Sequence, residues 1–474
     1  MATEPEKSYL AFDLGASSGR AILGRVREGR LELQEVHRFR NYPYEEAGHY
    51  RWDFRGLLRE LEIGLRKAVE AAPDLASYSV DTWGVDYALF RGGELLHDPY
   101  CYRDGRTEAA IEDFHKRISK ADFYARNGIQ PMVFNTVYQL VAELRDDPAA
   151  LDGSLMLNMP DALHFMLTGT ATSEVTIAST GALLKAASPE WDMEALTGLA
   201  GLPAGLFPPL VPPGSQAGEL KPEVAARLDI PRVRAVKCAS HDTASAVLAM
   251  PCADPEKALY ISLGTWALLG AERRAAVTAR DALDAQFTNE RGFGGTFRCL
   301  CNIMGTWPLQ ETRRIWTEHG REVSFAQMEA MAAPLDGQPW RIDLDDPAFF
   351  PPGDMPRRIR DYCREHGQGE LPDDAALVRC IYDSLADCFR AKIDRLETLT
   401  GRTFDAINIL GGGVRDRFLM ELVAKTSHRT VLAGPSEATA IGNILAQMMA
   451  AGELKTIAQA RELVAASFPP ERFG

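Results

Sequence analysis

The chain is without several signatures that would assign it quickly. Its eight cysteines, at 101, 238, 252, 299, 301, 363, 380 and 388, include no Cys-x-x-Cys, and a chain of 474 residues needs no disulfide to hold a core. Most therefore read as buried thiols, and spacing leaves open whether Cys363 and Cys380 pair. No run approaches the roughly 20 apolar residues of a spanning helix. The opening segment Met1 to Ser8 is short and charged, with no apolar core of a leader peptide, so a cytoplasmic protein is expected. Neither Gly-x-x-x-x-Gly-Lys-Ser/Thr nor a strand-borne Gly-x-Gly-x-x-Gly occurs, which excludes the P-loop and dinucleotide-binding openings. An excess of positive charge is missing as well. The formal net charge is -14, against a nucleic-acid or anionic-membrane surface, both of which need clustered Lys and Arg. Any phosphate ligand must be held locally, by backbone amides, a few cations or a metal.

What is present is a chain too long for one ordinary core, so two domains are expected, 1–247 and 248–474. A glycine-broken hairpin occurs twice. Tyr9-Leu10-Ala11-Phe12 ends in Asp13-Leu14-Gly15-Ala16-Ser17-Ser18-Gly19-Arg20 and continues as Ala21-Ile22-Leu23; later, Ala258-Leu259-Tyr260-Ile261-Ser262 enters Leu263-Gly264-Thr265-Trp266 and continues as Ala267-Leu268-Leu269-Gly270. Glycine with positive φ lets backbone N–H groups approach an anion, and Ser or Thr hydroxyls add donors. Such turns are also ordinary hairpin chemistry. Their pairing, and Asp13 at the start of the first, point to two grips on one polyphosphate.

Along the chain, Leu31 to Phe39 gives a third strand, and Asp53 caps a helix with Phe54, Leu57, Leu61 and Leu65 at helical spacing. A strand follows at Tyr78 to Phe90, broken by Gly84. Helical stretches cover Thr136 to Leu144 and Pro160 to Leu167. Between Pro203 and Pro231 lie seven of the 28 prolines, read as an extended surface connection. Val233 to Cys238 is a short strand entering a helix that starts at Ser240-His241-Asp242-Thr243, with Ser240 or Asp242 as its N-cap. The second half repeats the order: strands at 258–262, 267–271 and 296–302, a long helix from about Asp373 to Leu399 ending at Gly401, then strand, Gly411-Gly412-Gly413, helix, strand and helix. Two α/β domains of like topology facing across a cleft are the simplest architecture.

These motifs together resemble the FGGY carbohydrate kinases of the actin-like superfamily. The stretches that carry the likeness are Phe12 to Arg20, Val80-Asp81-Thr82-Trp83-Gly84-Val85-Asp86, Ala239 to Ala246, Ser262 to Trp266, Asn302-Ile303-Met304-Gly305 and Gly411-Gly412-Gly413. The resemblance implies two actin-like, ribonuclease H-like domains, each a mixed five-stranded sheet flanked by helices. It implies phosphorylation of a small ketose with ATP and Mg²⁺ and no nucleic-acid or membrane partner; oligomeric state is left open. By the same likeness Asp242 is the base for the sugar hydroxyl, and Asp13 lies by the metal, through water. Ala16, Ser17, Ser18, Gly19, Arg20, Thr265, Gln310 and Gly412 lie at the nucleotide, and Gly84, His241, Asp242, Thr243 and Asn302 at the sugar. One departure is Gln139, which stands where many members carry a lysine. Two rivals remain at this level: a kinase of another ketose, and an actin-like ATPase switch that needs no sugar.

Overall fold

The computed structural model describes residues 7–252, 254 and 257–474; the charged residues 1–6 of the N-terminal reading lie outside them. Contacts group the chain into two units. One is Met1–Ala253 with Glu272–Cys299 and Ala438–Ser467; the other is Asp254–Ala271 with Leu300–Glu437 and Phe468–Gly474. No helix among the described residues is long and apolar enough to cross a membrane.

The first unit is built on strand Ser8–Leu14, in which all seven residues are buried. A run that is apolar on both faces belongs in the middle of a covered sheet. It pairs antiparallel with Ser18–Arg27 and parallel with Leu75–Thr82, which sets Asp13 beside Arg20 on one side and Asp81 on the other. The six-stranded sheet runs Gln216–Glu219, Arg234–Val236, Leu75–Thr82, Ser8–Leu14, Ser18–Arg27, Arg30–Arg40. Helix Phe54–Ala71 covers one face with Phe54, Leu57, Leu61 and Leu65, and Asp53 caps it as expected, its carboxylate accepting from Gly56 N–H at 2.7 Å.

Helix Ala438–Ala450 lies late in the chain yet belongs to this unit, because its small and polar face fits against the first sheet and helix Asp242–Leu248. Gly442 touches the latter so closely that a Cβ there would sit 1.8 Å from the Ser245 carbonyl oxygen. Gln447 donates to the Leu10 carbonyl at 2.9 Å and accepts from Ser77 at 2.7 Å. The units are therefore not two linear spans.

The second sheet has seven strands, and its central Leu259–Leu263 repeats the first arrangement: antiparallel to Ala267–Arg273, parallel to Ala406–Leu410. Next come Thr430–Ala433 and Glu471–Phe473. Helix Asp374–Thr400 is capped by Asp373, whose carboxylate accepts from Ala376 N–H at 2.8 Å, and stops at Gly401 with φ 63°.

Three expectations change. The sheets are mixed and helix-flanked, but with six and seven strands they exceed five; in the first, the added edge strand Gln216–Glu219 comes from the proline-rich connection, where proline masks strand signal. The stretch Tyr78 to Phe90 is two strands, Leu75–Thr82 and Tyr87–Arg91, the second in a separate three-stranded sheet. Val85, at φ 67°, turns the chain between them. The helix after Cys238 is capped by neither Ser240 nor Asp242: its N-cap position is His241, and Asp242 is its first residue.

In an isolated helix, alanine for glycine gains about 1 kcal/mol. The contact at Gly442 reverses the sign: Gly442→Ala is expected to destabilise by about 1–3 kcal/mol through overpacking. Urea unfolding reads this, and an unshifted or raised midpoint would refute the close contact.

Candidate active site

Asp13 ends the first strand, and its carboxylate accepts from Arg20 NH2 at 2.5 Å. The turn behind it closes by Gly15 N–H to the Ser18 carbonyl at 2.9 Å, and Asn41 pins it by donating to the Gly15 carbonyl at 2.8 Å. Ser17 is exposed, and Ala16 and Ser18 are half-buried. The glycines here do not act through positive φ as expected. Gly19 is needed because a Cβ would meet the Phe39 ring at 2.1 Å. Arg20, expected at the phosphates, engages Asp13 through NH2.

Asp81 lies beside Asp13 on the parallel strand, with no exposed surface. One oxygen accepts from Asn443 at 2.6 Å; the other has no hydrogen-bond partner among the described residues. Burial first, then the charge of Asp13, push this carboxyl well above the usual range, with Asn443 opposing.

The turn leading to Asp242 is pinned from two sides. Thr82 N–H donates to the Ser240 carbonyl at 2.9 Å, and Ser240 N–H to the buried Glu174 carboxylate at 2.9 Å. Glu174 also accepts from Thr176 N–H at 2.8 Å, from Ile177 N–H at 3.3 Å and from the Thr176 hydroxyl, which itself accepts from His241 N–H at 3.3 Å. Burial nevertheless pushes Glu174 up to about 7. So held, the Asp242 side chain keeps 29% of its surface exposed, against 12% for Asp13. Its Oδ1 accepts from the Thr243 hydroxyl at 3.0 Å and lies 3.4 Å from His241 Nε2. His241, Asp242 and Thr243 are thus brought together.

Gly84 sits in the turn made by Val85, where Val85 N–H donates to the Thr180 hydroxyl at 3.0 Å. Under it, buried Asp86 accepts from Trp52 Nε1 at 2.7 Å, Trp83 Nε1 at 2.9 Å, Tyr102 N–H at 3.2 Å and Gln139 Nε2 at 3.1 Å. Burial raises Asp86 to about 6 in spite of these donors. Gln139 is a neutral donor here, so no cation holds Asp86 ionised.

In the second unit, Gly264 N–H to the Trp266 carbonyl, 2.8 Å, closes the matching turn. Thr265 donates to Gln310 Oε1 at 3.2 Å, and Gln310 Nε2 to Thr306 Oγ1 at 2.8 Å; Thr306 Oγ1 donates to the Gly264 carbonyl at 2.8 Å. Thr265 and Gln310 are joined directly, and Thr306, which sequence reasoning missed, ties Gln310 to the Gly264 carbonyl. Gly305 explains itself: a Cβ would lie 2.7 Å from the Gly264 carbonyl oxygen. Gly412 is exposed with open space around it, whereas Gly411, at φ 88°, is the glycine the backbone requires. Asn302 is the exposed residue of strand Phe297–Ile303.

Sequence reasoning also missed Glu174, Asn443, Glu290 and Arg298, and quoted Asp81 without giving it a role. Only Asp81 had a local signal, an acidic residue in a buried strand.

The gluconate kinase of Lactobacillus acidophilus shares the fold, with TM-score 0.80 over 98% of this chain and 92% of that one at 13% identity. That defines the class of fold: α/β, with mixed sheets flanked by helices. The models of the FGGY family of carbohydrate kinases match at residues 8–249 for the N-terminal domain and 259–451 for the C-terminal domain. The chain belongs to the FGGY family of carbohydrate kinases, enzymes that transfer a phosphoryl group to a sugar hydroxyl. It is 42% identical over 470 residues to the rhamnulokinase of Enterococcus faecalis, covering 98% of this chain and 94% of that one. With the rhamnulokinase of Bacillus subtilis it shares 40% over 467 residues, 98% and 95% of the two chains.

The raised carboxyl of Glu174 fixes a sign. A carboxyl whose pKa is higher folded than unfolded binds more protons in the native state between the two values, so stability falls as pH rises through that window. The ordinary value is 4.5 and the folded one about 7. Comparing wild type with Glu174→Gln by urea unfolding, the stability difference in favour of wild type should shrink between those pH values. A pH-independent difference would contradict the assignment.

Proposed function

We propose that this chain transfers the γ-phosphoryl group of ATP to the 1-hydroxyl of L-rhamnulose. The observation that carries the reading is the identity to rhamnulokinases, at 42% and 40%, sustained over 98% of the chain. Phosphoryl transfer to an alcohol asks for little covalent chemistry from the protein; it needs an acceptor for the hydroxyl proton and donors for the phosphate charge.

Asp242 is the acceptor. A base must be reachable by the substrate, and of the three carboxylates Asp13, Asp81 and Asp242 it has the most exposed side chain, with Asp81 fully buried. His241, Thr243, Gly84 and Asn302 contact the sugar. Ala16, Ser17, Ser18, Gly19 and Arg20 contact the phosphates, and Thr265, Gln310 and Gly412 contact the nucleotide.

Mg²⁺ supplies charge neutralisation on the phosphates when bound. Among the described residues no three His, Cys, Asp or Glu side chains form a metal-holding group. Mg²⁺ keeps most of its waters and takes one or two carboxylates plus substrate phosphates. Asp13 would hold it, through water.

Asp242→Asn should lower kcat by about 10²–10⁴-fold, read as sugar-dependent ADP release against a panel of ketoses including L-fuculose and xylulose. Full turnover in the mutant would remove Asp242 as base. Wild-type turnover of another ketose and not of L-rhamnulose would remove the substrate assignment.

A further inference from the structure

His241 is held by two residues that neither the family motifs nor the roles above include. Strand Thr288–Arg291 carries Glu290, and strand Phe297–Ile303 carries Arg298. Arg298 is fully buried, and Glu290 is 7% exposed. Arg298 NH2 lies 3.0 Å from Glu290 Oε2 and 2.9 Å from His241 Nδ1, and His241 Nδ1 is 3.1 Å from the same Glu290 oxygen.

Stability does not account for this pair. Taking two charges out of water costs several kcal/mol per ion, and the attraction repays it only when the remaining donors are satisfied. Arg298 Nε does donate to the Arg291 carbonyl at 3.2 Å, but its NH1 has no hydrogen-bond partner among the described residues. An apolar pair would suit the fold better. What the pair achieves is local: Nδ1 is fully committed, and the opposite ring nitrogen is left 3.4 Å from Asp242 Oδ1. An arginine can only donate and a carboxylate can only accept. Arg298 NH2 donates to Nδ1, whereas Glu290 Oε2 lies near Nδ1 without a hydrogen bond to it, so Nδ1 is the accepting nitrogen and the ring proton sits on Nε2. That arrangement places an N–H on the side of Asp242.

Burial alone would raise the Glu290 carboxyl, yet Arg298 and His241 outweigh it and hold it below the ordinary value. We propose that the buried Glu290–Arg298 pair orients the His241 ring and, through its Nε2–H, fixes the Asp242 carboxylate toward the sugar hydroxyl, making Glu290 and Arg298 positioning residues. The catalytic part of this rests on Asp242 being the base for the reaction proposed above.

The test uses the full chain with Glu290→Gln and Arg298→Lys, each alone and combined with His241→Asn. Each single change should lower kcat by about 10–100-fold, the range for removing a partner that orients a reacting group. The KM for ATP should stay unchanged, and there should be no further loss in the His241→Asn background, because the effect runs through that ring. Losses that multiply with that of His241→Asn would overturn the proposal. A second readout needs no substrate: the imidazole ¹⁵N resonances of His241 should show a protonated Nε2 in wild type and shift in Glu290→Gln. Unshifted resonances would overturn the pair's role. Because that signal is read without sugar, it separates failure of this inference from failure of the proposed activity.

Discussion

Three backbone N–H groups, of Thr176, Ile177 and Ser240, and the hydroxyl of Thr176 converge on the carboxylate of Glu174, which water does not reach. A buried acceptor that satisfies several orphan donors fixes their relative positions, because leaving any one unpaired in a low dielectric is expensive. The short helix Val175–Ser179 is thereby tied to the turn that presents His241 and Asp242. The same segment reaches further. Thr180, just past it, accepts from Val85 N–H in the turn that holds Gly84, and Ser179 accepts from Arg291 N–H at 2.9 Å, next to Glu290. Three separate stretches of the first unit take their places from one buried peptide segment.

A second constraint is the alignment of the two central strands of the first sheet. Their parallel pairing puts Asp13 and Asp81 side by side. The carboxylates differ because their partners differ: Asp13 has the Arg20 guanidinium at 2.5 Å, while Asp81 has an amide from Asn443 and no water. Burial and the neighbouring Asp13 charge push the Asp81 carboxyl well above the usual range, while the Arg20 guanidinium sits beside Asp13. Asn443 comes from a helix more than 360 positions away in the chain, and Gln447, one turn on, ties that helix to the Leu10 carbonyl. The second unit builds its own turn by the same device as the first, a glycine N–H bonded back across the turn, and adds Gly305 against it where no side chain would fit.

Periodicity and turn chemistry made much of the fold legible. The buried run Tyr9 to Phe12, the helical spacing from Phe54 to Leu65 with Asp53 before it, and the long helix closed by Gly401 all stand where the pattern puts them. The pattern misled where one residue type serves two physical ends. Gly19 in a glycine-rich turn reads as room for a phosphate, yet its place is required by the Phe39 ring. Asp242 before a helix reads as a cap, yet the capping position is one residue earlier. Gln139, read as a departure from a lysine, proves to be one of four donors to Asp86.

Local chemistry in the chain was enough for the strand-turn-strand units, the helices, and the grouping of His241, Asp242 and Thr243, since each depends on residues a few positions apart. Only the folded chain decided which carboxylates are charged, which histidine nitrogen faces Asp242, and what holds that histidine. Those depend on Glu174, Glu290, Arg298 and Asn443, whose partners are distant in sequence. A carboxyl's protonation and a ring's orientation are set by burial and by the nearest donors, and neither exists until the sheets and helices have packed.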